Sequence, residues 1–105
     1  MTQTFKPTAK IAANASKGLK LREQFNRGGT DVGVKRAEQL AARDDLDAED
    51  IKSMHSYFAR HDVDKQGKAH EWGSDTDPSA GYVAWLLWGG DEGKEWADSH
   101  AEHLD

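Results

Sequence analysis

From Tyr82 to Trp88 the chain reads Tyr-Val-Ala-Trp-Leu-Leu-Trp and then breaks at Gly89-Gly90. Apart from the tyrosine hydroxyl and the indole N–H groups, nothing in this run is polar. As a helix it is apolar on every side, which places it inside a core. Three of the four tryptophans lie between Ser79 and Ala97, in a chain that is otherwise 31% charged. The run is far shorter than the roughly 20 residues of a membrane span. The opening Met-Thr-Gln-Thr-Phe-Lys lacks the apolar stretch of a signal peptide, so a soluble, unprocessed protein is expected.

A length of 105 residues fits one domain. The absence of cysteine excludes a disulfide framework and thiolate metal sites, and a reducing, cytosolic compartment is the default expectation. Charge is segregated: residues 1–43 carry +6 and residues 44–105 carry −11. Such a division describes either opposed binding faces or two halves that attract each other within the fold.

Residues 1–12, with Pro7 and several threonines, read as a flexible N-terminal arm, and 13–105 as a single helical domain. A first helix is predicted from about Ala13 to Asn26, with Ala15, Leu19, Leu21 and Phe25 along it, stopped by Gly28-Gly29. Thr30 caps a second through Arg43, with Val34, Ala37, Leu40 and Ala41 on one face. Asp47 caps a third, in which Glu49 and Asp50 occupy the positive first turn and Ile51, Met54 and Phe58 form the buried stripe. From Asp62 to Asp77 periodicity fails, which indicates an acidic, glycine-containing surface loop. Asp77 as N-cap with Pro78 at the first helical position opens the tryptophan helix. Asp91 caps a last helix running through Trp96 toward His103. No strand pattern or internal repeat is visible. The expected fold is all-α, a compact bundle of four to five short helices around a Trp-rich core.

The order Gly28-Gly29-Thr30, Val32-Gly33-Val34-Lys35-Arg36-Ala37, Met54, Ser56-Tyr57-Phe58-Ala59-Arg60-His61, Val63-Asp64-Lys65, Pro78-Ser79-Ala80-Gly81, Ala84-Trp85 and Trp88-Gly89-Gly90-Asp91, with Gly93 and Trp96-Ala97, resembles a small domain of tailed-bacteriophage proteins. The resemblance covers about residues 28–97. It implies a phage setting and brings no catalytic residues with it.

Four constellations bear on chemistry. The pair of helices around Asp44–Asp47 has helix-turn-helix spacing, but Asp44, Asp45, Asp47, Glu49 and Asp50 would then face a polyanion, so a packed helical pair is preferred. Asp62, Asp64, Gln66 and Gly67 match the first half of an EF-hand loop. Its bidentate glutamate position is Gly73, however, and a solvated loop is the expected reading. His100 and His103 sit three apart near the C-terminus and are expected to be exposed on a frayed helix, not to form a metal site. His61 follows Tyr57-Phe58 and reads as a structural, hydrogen-bonded histidine, with no nucleophile or phosphate loop beside it. Trp85, Trp88 and Trp96 are expected in the core. Trp72, isolated among polar residues, is the aromatic expected to touch a partner.

The resulting expectation is a non-enzymatic phage accessory or virion-associated protein in the host cytoplasm or the virion. It would work through contacts with a host or phage protein, without metal, cofactor or membrane. The alternative is a nucleic-acid-binding module using the basic first half, with Lys35 and Arg36 as contacts.

Overall fold

The apolar run becomes α4 (Ala80–Leu87), in which Val83, Trp85 and Leu87 are fully buried and Trp88 closes the helix. The computed structural model describes residues 4–26, 28–61, 76 and 78–102. Around α4 stand α1 (Ala9–Phe25), α2 (Asp31–Ala41), α3 (Ala48–His61) and α5 (Gly90–Ala101). The protein is an all-α bundle with a tryptophan-containing aromatic core. α1 packs on α2 and α4, while α3 packs on α5. The consecutive helices α2 and α3 thus lean on their other neighbours more than on each other. Trp72, the half EF-hand at Asp62–Gly67, the rest of the acidic loop through Asp75, and His103 lie outside the described residues.

Local chemistry sets the helix ends. The Thr30 hydroxyl accepts the Gly33 N–H at 3.3 Å, and Asp47 and Asp50 cap each other's backbone N–H groups at 2.9 and 3.2 Å, as the sequence predicts for the starts of α2 and α3. Three starts differ from expectation. α1 begins at Ala9 because the Thr8 hydroxyl takes the Ile11 N–H at 3.2 Å, and it ends at Asn26, which adopts a left-handed φ of 51° ahead of the glycines. α4 is capped by Ser79, whose hydroxyl accepts the Tyr82 N–H at 3.0 Å, so Pro78 precedes the helix instead of opening it. α5 starts at Gly90 with Gly89 at the cap. The Asp91 carboxylate instead takes the Trp85 indole N–H at 2.9 Å, which satisfies a polar group that burial would otherwise strand.

Within the stretch expected to be a flexible arm, residues 4–12 are built into the fold. Thr4–Phe5 (β1) pairs antiparallel with Leu46–Asp47 (β2), and Phe5 is buried against the His100 ring at 4.5 Å. His100 also meets Trp96 edge-on at 5.2 Å, so it belongs to an aromatic cluster and is half-buried instead of exposed on a frayed end.

Glycine decides two close approaches. Gly18 lets α1 touch α4 so closely that a Cβ there would lie 2.8 Å from the Leu87 nitrogen. Gly89 and Gly90, at φ 113° and 69°, turn the chain from α4 into α5 in a region L side chains avoid. Asn14 seals that turn from α1, donating to the Gly89 carbonyl at 2.8 Å and to Glu92 at 2.6 Å.

Candidate functional site

On α3, Ser53, Tyr57, Arg60 and His61 follow the 3–4 spacing of one helical face. On α4, Ala80, Ala84 and the closing Trp88 do the same. With Gly29, Thr30 and Val32 at the start of α2, these two faces enclose a groove of about 500 Å³. Three rings brace it. Trp88 and Tyr57 stack at 4.5 Å with planes 7° apart, and Tyr57 and His61 stack at 4.5 Å with planes 28° apart. Behind them the Arg36 guanidinium lies 5.5 Å from the centre of the Trp88 ring.

Val32 is 62% exposed, the one large hydrophobic side chain left in water among the described residues, and it lines this groove. None of the described lining residues is a carboxylate, in a chain with 19 acidic residues. Among these lining residues the charged side chain is Arg60, beside the His61 ring.

The two residues read as nucleic-acid contacts are placed differently. Lys35 is exposed, but Arg36 is only 9% exposed; it forms an ion pair with Asp50 at 3.0 Å and donates to Gln39 at 3.0 Å. Adjacent helix positions are about 100° apart, so one of the two turns inward. Burial alone would raise the Asp50 pKa, but the Asp47 backbone N–H and Arg36 outweigh it and hold the carboxyl below its usual range. Arg22 and Arg43 likewise turn to backbone carbonyls, Gly28 at 3.0 Å and Pro7 at 2.9 Å. Two arginines of the first half therefore fasten loops.

A second polar cluster joins α3 to α5. Asp98 receives His55 at 2.6 Å and Lys94 at 2.8 Å. Its burial would raise the pKa, yet the hydrogen bonds and charges of Lys94 and His55 bring it below the usual value. This is a surface staple. No group of three side chains suited to a metal ion occurs among the described residues, and no helix there is long and apolar enough to cross a membrane.

Sequence reasoning singled out His61 but missed Val32, Arg60 and the groove itself. The signal for Val32 was its phase: it falls outside the Val34, Ala37, Leu40 and Ala41 face of its own helix. Comparison with protein-family models, curated proteins and solved structures finds no match for this chain.

Proposed function

We propose that this chain is a non-enzymatic accessory or virion-associated domain of a tailed phage, acting in the host cytoplasm or the virion by contact with a host or phage protein. The resemblance of residues 28–97 to a tailed-phage domain supports the setting. The observation that carries the contact role is the groove between α2, α3 and α4, where Val32 stays in water beside a braced wall of rings. An apolar concave surface with a few polar groups at its rim suits binding of a partner's side chains. The test is binding of purified candidate partners from the same phage or its host to wild type and to Val32→Asp. Loss of a stoichiometric complex in the variant, with its helical spectrum unchanged, supports the role. A complex indifferent to every groove substitution removes it.

The nucleic-acid alternative retains one specific observation: Lys10, Lys17 and Lys20 are exposed along α1, and Lys35 is exposed on α2. Titration of labelled duplex at about 0.15 M salt separates the readings. Binding weaker than micromolar is expected, as for non-specific contact, and tight, steeply salt-dependent binding would favour the alternative.

A further inference from the structure

We infer that the groove takes an acidic peptide segment of the partner, anchored by an apolar side chain. This inference rests on the contact role proposed above and adds the chemistry of what is contacted. The volume of about 500 Å³ falls within the roughly 300 to 1,000 Å³ of small-ligand sites, enough for an anchor side chain and its neighbours and too little for a folded surface. Val32, Ala80, Ala84 and the edges of Trp88 and Tyr57 supply apolar walls.

Charge complementarity selects the rest of the segment. The second half of the chain is strongly acidic: Asp44, Asp45, Asp47 and Glu49 are exposed before and at the start of α3, and Asp91, Glu95 and Glu102 are exposed along and just past α5. The described lining of the groove holds no carboxylate. Arg60 is exposed on its rim, and a guanidinium offers paired donors that match a carboxylate. The first turn of α2 carries Asp31, whereas that of α4 carries no acidic residue and borders the same space through Ala80 and Gly81, so the positive end of α4 adds to the field. A basic segment would meet Arg60 and that helix end at once, and an acidic one would be drawn in.

A single-stranded nucleic acid is the other polyanion to weigh. It needs open ring faces on which bases stack. Here Trp88, Tyr57 and His61 are stacked on one another and Arg36 covers Trp88, so the rings form a wall instead of a platform.

The experiment is selection of a random dodecapeptide library on the full chain. Chosen peptides are then measured by fluorescence anisotropy against wild type, Arg60→Glu and Val32→Asp, with oligodeoxythymidine as competitor. Both positions are exposed, and circular dichroism confirms that each variant folds. Enriched peptides should pair Asp or Glu with a Leu, Ile or Phe. Arg60→Glu should weaken them about tenfold or more, Val32→Asp should weaken them as well, and affinity should fall as salt rises. Enrichment of basic or neutral peptides that depend on Val32 but not on Arg60 would overturn the acidic partner and leave the contact role standing. No peptide whose binding depends on either residue would remove both. Displacement by oligodeoxythymidine at lower concentration than by the selected peptides would overturn the inference in favour of nucleic acid.

Discussion

Arg36 reaches Asp50 at 3.0 Å while its guanidinium lies over Trp88, so a single side chain ties the start of α3 to the wall of the groove. Replacing it with alanine should cost about 2 kcal/mol in urea denaturation. This is less than the roughly 3 to 5 kcal/mol of a fully buried pair, because the Asp50 carboxylate stays partly in water. The same pair sets a pH dependence. The Asp50 pKa is lower folded than unfolded, so its contribution is present above the ordinary carboxylate pKa and is lost as pH falls through the depressed folded value. Denaturation midpoints between about pH 5 and pH 2 should therefore show a shallower acid loss in Arg36→Ala than in wild type. Trp88 carries a larger share of the core. Its ring is 7% exposed and stacked on Tyr57, and Trp88→Ala should cost about 3 to 5 kcal/mol by chemical denaturation. Wild-type stability in that variant would contradict the packing described.

At the scale of elements, the reciprocal Asp47–Asp50 cap is the clearest case of local chemistry fixing a boundary, and Asp47→Ala should lower stability by about 1 kcal/mol. Signals of this range were legible in the sequence: Thr30 and Asp47 each hydrogen-bond three residues ahead, inside a window that periodicity also marks. The α4 start was misread by two residues, because Asp77, Pro78 and Ser79 allow more than one capping register and the Ser79 hydroxyl is the group that meets the Tyr82 N–H. The Thr4–Phe5 pairing was not legible, since a two-residue strand has no period and its partner at Leu46–Asp47 lies some forty residues away. The groove was hidden for a related reason. Its walls come from the start of α2, the end of α3 and the whole of α4, and no single stretch of chain carries that arrangement. His61 stood out beforehand by its place after Tyr57-Phe58, but its stacking on Tyr57 depends on Trp88 bracing that ring from another helix.

For the whole molecule, helices drawn from both the basic and the acidic halves share one buried cluster that runs from Ile11 and Ala15 on α1 to Ala97 on α5. Thermal unfolding should accordingly be a single cooperative transition with a helical circular dichroism spectrum, the same when followed by tryptophan fluorescence, and two separated transitions would contradict it. Phe5→Ala tests the far end of that unit. It removes a ring that is 7% exposed and packed on His100, and should cost about 3 kcal/mol by the same denaturation. The Phe5–His100 contact also has a topological consequence. The rings of Phe5 and His100, near the two ends of the described chain, lie 4.5 Å apart, so both ends are held on one side of the fold, like a bead on a keyring. A unit closed in this way can be spliced into a surface turn of a larger polypeptide without parting the host strands on either side of the insertion.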